Sequence, residues 1–337
     1  MALIMMDGFD HYSIEYRSDC KWDANSGLLN YFTGGRNGGG YKQFNGYSGF
    51  LDKAIDNKKT LICGVAIYNI GDISNNQDFM RFMEGGINQI SLRHTNYASS
   101  QSRIAAYRNG TLLGDTGIAV VGINSWYYLE AKIVIDSTGG SVEVRVNGTT
   151  VLNLTEQNTQ ATTNAYIDNF MLVGQDSDIR YDDFYMCDDS GTVNNDFLGD
   201  VRVVTVYPDS DGTYNDFTPS TGTDHTTLVG DKSSFDSNYN EGDTVNQKET
   251  YNFNAGVPMV PIYGVQFTSV VNNEGAGNRK LKNMAHIDGE DYILTKEISL
   301  NDTIILHSDP LDTLPSDASN WSVLKINNIE FGVKITE

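Results

Sequence analysis

The side chains of this 337-residue sequence whose types and spacing could do chemistry are few and scattered. Hard oxygen ligands stand two apart at Asp176 and Asp178, and again at Asp209 and Asp211, where Gly212 follows. The second set reads like the opening of a calcium loop, but the third Asp and the closing Glu of an EF-hand are missing. Asp also favours turns by bonding its own backbone, which explains both sets without an ion. The nearest approach to a paired carboxylate is Tyr181-Asp182-Asp183-Phe184. Strand alternation sends adjacent acids to opposite faces, where they cannot share a scissile bond. The five histidines (His11, His94, His225, His286 and His307) stand singly and read as surface or loop residues. Gly46-Tyr47-Ser48-Gly49 lacks the spacing of a nucleophile elbow. The glycine-rich run Gly34–Gly40 lacks the Gly-Lys-Ser/Thr of a phosphate loop and reads as a connection between strands. The residues therefore predict a protein that is not an enzyme and needs no cofactor, with calcium at the two Asp pairs as the one ion to test.

The elements that must carry these groups are strands. Alternating apolar residues punctuated by Gly, Asn, Asp and Ser recur, whereas capped helical repeats are almost absent. Ser141–Val146 alternates Val142, Val144 and Val146 against Glu143 and Arg145, then meets Asn147-Gly148. Ile104–Arg108 meets Asn109-Gly110 in the same way, and Asn-Gly suits a two-residue type I′ hairpin. Trp126–Ile135 and Thr60–Tyr68 are further buried-strand candidates. Strands are predicted again at 201–207, 244–253, 262–271, 291–298, 302–307 and 322–336. This is an all-β chain of two consecutive antiparallel β-sandwiches, 1–190 and 191–337. Aromatic residues make up 11% of the chain. Trp126, Tyr128, Tyr166 and Phe170 fall in strands and are assigned to the core. Tyr214, Phe217, Tyr239 and Tyr251 lie in or beside polar loops and are the candidates for a ligand or protein interface.

Composition removes several functions. Acidic residues number 44 and basic ones 23, a net charge of −21. A chain so acidic, with no cluster of Lys and Arg, does not suit the phosphate backbone of a nucleic acid. No apolar run approaches the ~20 residues of a membrane-crossing helix. The start of the sequence meets Asp7 too early for a secretory signal, so the cytoplasm is the expected place of synthesis. Cys20, Cys63 and Cys187 are far apart and odd in number, which predicts buried free thiols and no disulfide framework.

Two resemblances extend this reading. Trp126-Tyr127 at a strand start, the Asn147-Gly148 turn and the later pair Ile167–Gly174 and Ile179–Cys187 resemble the concanavalin A-like (laminin G-like) jelly roll. That likeness implies that Ile179–Cys187 closes the fold beside an amino-terminal strand near Met6–Asp10. It also raises the prospect of calcium at Asp176 and Asp178. The laminarinase-type glycosidases on that fold carry a Glu-x-Asp-x-(x)-Glu pattern, which is missing here. From Tyr181-Asp182-Asp183-Phe184-Tyr185 onward, the ordered series Phe197–Val203, Pro208–Gly212, Phe217–Gly222, Ile262–Gln266 and Asn327–Lys334 resembles a group of bacteriophage virion structural proteins. That likeness implies a tail, fibre or capsid-decorating component on the virion exterior, assembled in the host cytoplasm. Its partners would be other virion proteins and further copies of itself in a homo-oligomer. One alternative is a receptor-binding, lectin-like role on a bacterial surface glycan; the other is a secreted glycan-active enzyme, against which the missing carboxylate pair and signal count.

Overall fold

The computed structural model describes residues 2–12, 21–26, 29–44, 49–70, 76–98, 100–174, 178–230, 238–254, 256, 260–275 and 277–337. The chain is all-β and antiparallel, and it divides into two compact units, Ala2–Val204 and Thr205–Glu337.

The first unit is a sandwich of two eight-stranded sheets. One runs in the order Thr149–Gln157, Gly140–Val146, Trp126–Val134, Thr60–Ile70, Asp178–Cys187, Gly40–Phe44, Leu29–Thr33, with Leu3–Asp7 also paired to Asp178–Cys187. The amino-terminal strand thus lies beside the closing strand, as the jelly-roll likeness implied. The other sheet runs Thr111–Asp115, Gln101–Arg108, Ile87–Ala98, Asp78–Glu84, Ile167–Val173, Phe50–Lys58, Ala24–Ser26, with Val121–Gly122 also paired to Gln101–Arg108. Both Asn-Gly turns form as read, with positive φ at Asn109 (41°) and Gly110 (86°), and at Asn147 (47°) and Gly148 (76°). Between the sheets, Val142 and Val144, Leu61, Val65 and Ile67, and Phe79, Phe82 and Phe170 share one apolar core. Burying aliphatic and aromatic side chains of this size contributes about 1.5–3 kcal/mol each.

That core also takes polar groups which alternation alone does not reveal. His94, expected at the surface, is fully buried, stacks on Phe79 and shares a 3.0 Å hydrogen bond with the Tyr127 hydroxyl. Asp7 is fully buried and accepts from Tyr12 Oη (2.7 Å), Trp22 Nε1 (2.9 Å) and the Phe9 amide (2.9 Å). Burial works to raise its carboxyl. Lys21, His11 and these donors outweigh burial and hold it below the ordinary range. Cys63 and Cys187 are buried free thiols, and Cys20 lies outside the described residues.

The outer face of the first sheet is closed over Ala2, Ile62, Ala66, Tyr128, Tyr185 and Cys187 by Phe197, Leu198 and Val201. Glu130, 1% exposed, fastens this cover by accepting from Tyr185 Oη (2.6 Å) and the Gly199 amide (2.7 Å). Gly64 must lack a Cβ, which would meet the Tyr185 ring. This packing carries the first unit to Val204, beyond the boundary near 190 read from the change in texture.

The second unit has a five-stranded sheet in the order Pro208–Asn215, Lys248–Phe253, Glu330–Ile335, Arg279–Ile287, Glu290–Leu300. A hairpin of Val265–Val271 and Ile305–Leu311 packs against it through a core of Phe253, Phe267, Trp321 and Phe331. Several expected elements differ here. Residues 201–207 form no strand, and Pro208–Asn215 does. The stretch 322–336 splits into a short helix, Val323–Ile326, capped by Ser322, and the strand Glu330–Ile335. His307, also expected at the surface, is 8% exposed, with Nε2 3.1 Å from Asp309 Oδ2.

Candidate functional site

The outer face of the second sheet of the first unit gathers polar groups in two adjacent rows across its strands. Antiparallel register places Asp115, Ala105, Arg93 and Asp78 in one row. The neighbouring row is Tyr107, Ser91, Arg81, Met171 and Asp52. Alternation turns these residues away from the core partners Ile104, Ala106, Leu92, Phe82, Phe170 and Leu172, so both rows face outward. A bulge between Asp78 and Met80 re-aims Asp78 onto this face while Phe79 and Met80 both enter the core.

Asp78 is the hinge of the arrangement. Its side chain is 5% exposed, and each carboxylate oxygen is taken by one arginine: Oδ2 by Arg81 Nε and Oδ1 by Arg93 Nε, both at 2.9 Å. The Arg93 guanidinium also lies 4.3 Å from the centroid of the Tyr107 ring. The two arginine side chains remain 36% and 27% exposed. Their terminal Nη groups have no partner among the described residues. Beside them, Arg103 pairs with Asp115 at 3.2 Å. Across Met171, Asp52 Oδ1 and Asn169 Oδ1 are shielded from solvent and make no hydrogen bond among the described residues. Burial raises the Asp52 carboxyl from its ordinary range. One end of the face is tied down by Gln89, whose amide donates to Thr162 Oγ1, Asn164 O and Tyr166 O. Fixed, part-exposed guanidinium donors suit a ligand rich in hydroxyl and acidic oxygens. Nothing in the sequence marked Arg81 and Arg93. They lie 12 apart, and only strand pairing brings them to one carboxylate.

The residues singled out from sequence fall elsewhere. Asp176 lies outside the described residues, as do Tyr47, Ser48 and Gly46; for Asp178 only the backbone is described. Asp209 is exposed. Asp211 instead holds the first turn of the helix His225–Val229, accepting from the Thr226 amide (2.8 Å) and its hydroxyl, while Asp224 is the cap. Among the described residues no three His, Cys, Asp or Glu side chains converge as a metal site. Tyr251 is 8% exposed, and its hydroxyl receives a 2.7 Å bond from Asn240 Nδ2, so it is an interior residue and not an interface one. Tyr239 is 42% exposed, and Phe217 is half-buried against Gly242. Tyr214 lies across the outer face of the five-stranded sheet, with Lys248 Nζ 4.1 Å from its ring centroid and His286 edge-on at 5.3 Å. Asp291 ties Lys248 and His286 together there, so Tyr214 covers its own sheet. Trp126, assigned to the core, is half-buried on the outer face of the first sheet against Tyr68.

The acid pair Asp182-Asp183 also departs from expectation. Asp183 takes φ 50° in a bulge that breaks the alternation, so both carboxylates meet the Gly34–Gly40 turn. Asp182 Oδ2 accepts from the Arg36 amide (2.8 Å), and Asp183 Oδ2 from Asn37 Nδ2 (3.0 Å). Burial and the neighbouring Asp183 push the Asp182 carboxyl up to about 8. Both are nearly sealed, at 4% and 2% exposure, and hold the turn and the Val203 amide in place.

No known protein family matches the sequence, and no curated protein does. Similar folds occur among solved structures. An alginate lyase Aly36B variant in complex with alginate tetrasaccharide is 14% identical (TM-score 0.41) over 54% of this chain and 95% of its own. Cellulose induced protein Cip1 is 15% identical (TM-score 0.39) over 54% and 96%. Domain 4 of AbnA, an extracellular arabinanase from Geobacillus stearothermophilus, in complex with arabinotriose, is 13% identical (TM-score 0.39) over 56% and 92%. These likenesses concern the fold alone and assign this chain no activity. The expectation that the chain is not an enzyme does not stand, on its own grounds. The exclusion had rested on a missing glycosidase pattern and on strict alternation at Asp182-Asp183, and the bulge at Asp183 breaks that alternation.

Proposed function

We propose that the first unit recognises a glycan on the outer face of its second sheet. The observation that carries this reading is the buried Asp78 holding two part-exposed arginines in fixed orientation on one sheet face. Such donors suit the oxygens of a sugar, which accept hydrogen bonds. A glycan array followed by calorimetric titration tests it: saturable binding is expected, weakened at least tenfold in an Arg81→Ala, Arg93→Ala double variant that melts like the parent. Binding that the double variant leaves intact refutes the site. The same incubations, read for shortened oligosaccharide, decide whether recognition ends in cleavage.

A second reading, a component of a bacteriophage virion exterior, is supported by the ordered series from Tyr181 to Lys334. It places the chain among other virion proteins and further copies of itself, with the glycan on a host surface. Purified particles that contain the chain and retain it through a low-salt wash support this reading, and particles that lack it refute it.

A further inference from the structure

We infer that the ligand of this face is an acidic glycan, its carboxylate or sulfate group received between Arg81 and Arg93; this rests on the glycan reading above. Two guanidiniums share the single carboxylate of Asp78, so these three groups together carry one net positive charge in a chain whose net charge is −21. A general attraction for anions cannot place it there, because the summed field of the chain repels them. The geometry is local and directed. Each arginine spends its Nε on Asp78, which leaves the terminal Nη edges facing away from the carboxylate. A planar fork of this kind fits the two oxygens of a carboxylate or sulfate in a way a lysine cannot. The forks are also fixed before the ligand arrives. Asp78 is buried and the Tyr107 ring backs Arg93, so little side-chain entropy is lost on binding. Arg103 does not share the role, since Asp115 faces it directly.

The experiment titrates the full chain with three sets of oligosaccharides of matched length: neutral, uronate-containing and sulfated. Wild type, Arg93→Gln and Arg81→Lys are compared, with a thermal melt of each to verify folding. The inference expects one acidic set to bind about ten- to hundredfold tighter than the neutral set, as charge-assisted bonds allow. Arg93→Gln should erase that preference, bringing the acidic sets down to the affinity of the neutral set in the same variant. Arg81→Lys, which keeps the charge and loses the fork, should fall between. Tighter binding of uronate or of sulfate identifies which group the clamp takes. Equal binding of neutral and acidic sets, or a preference that survives Arg93→Gln in a folded protein, overturns the clamp and leaves the glycan reading standing. No binding of any set overturns both.

Discussion

Replacing Glu130 tests how the first unit holds the segment that closes its outer face. Glu130 Oε1 accepts the Tyr185 hydroxyl at 2.6 Å and the Gly199 amide at 2.7 Å in a site where the glutamate is 1% exposed. Glu130→Ala removes the acceptor and leaves two buried donors unpaired. Each unpaired donor costs about 1–3 kcal/mol, so the loss is about 2–5 kcal/mol after partial hydration. For a unit of this size, 1 kcal/mol moves the melting temperature by about 2–4 °C, giving a drop of about 5–15 °C. Glu130→Gln keeps an oxygen that can serve both donors and should lose less than half as much. The assay is calorimetric unfolding joined to limited proteolysis, in which the alanine variant should become cleavable between Asp188 and Val204. An alanine variant within about 0.5 kcal/mol of wild type, with the segment still protected, refutes the role assigned to Glu130.

Three further outcomes follow from the same geometry. The Asp182 carboxyl has an ordinary value of 3.8 and is raised to about 8 in the fold, so the folded chain holds an extra proton between those values. Its contribution is full below about pH 4 and is lost as pH rises through about 8; melting temperatures should fall across that range, by up to about 2–5 kcal/mol in stability, with a shallower slope in Asp182→Asn. Asn147→Ala forfeits both the tolerated φ of 47° and the 2.8 Å bond its Oδ1 accepts from the Tyr128 amide, which predicts a loss of about 1–2 kcal/mol by denaturant titration. In the second unit, Tyr251→Phe should cost about 1 kcal/mol through the bond from Asn240, whereas Tyr239→Ala, at an exposed position, should stay within about 0.5 kcal/mol.

The parts of this molecule legible in the sequence are those fixed by neighbours along the chain. Val142, Val144 and Val146 alternate because one face is buried, and Asn147-Gly148 turns because Asn and Gly tolerate positive φ. The jelly-roll likeness also implied the closing strand beside the first, as it lies. What failed was decided by pairing or by a single irregular residue. The bulge at Asp183 is carried by an ordinary aspartate at φ 50°, which no local pattern announces. Pro208–Asn215 is a polar edge strand without alternation, so it read as loop. Residues 191–204 read as the start of the second sandwich, yet Phe197, Leu198 and Val201 have apolar partners over a hundred residues upstream in the first. The candidate site was invisible for the same reason. Arg81, Arg93 and Asp78 carry no motif, and their convergence depends on register and on a bulge one residue past Asp78.

The position of a bound oligosaccharide is the most direct test of the proposed site. A crystal structure of the chain with its tightest-binding oligosaccharide should show the sugar on the outer face of the second sheet, with an acidic group within hydrogen-bonding distance of the Arg81 and Arg93 Nη atoms. A sugar found instead against Trp126 and Tyr68 on the other sheet, or on the second unit, with Arg81 and Arg93 untouched, would contradict it.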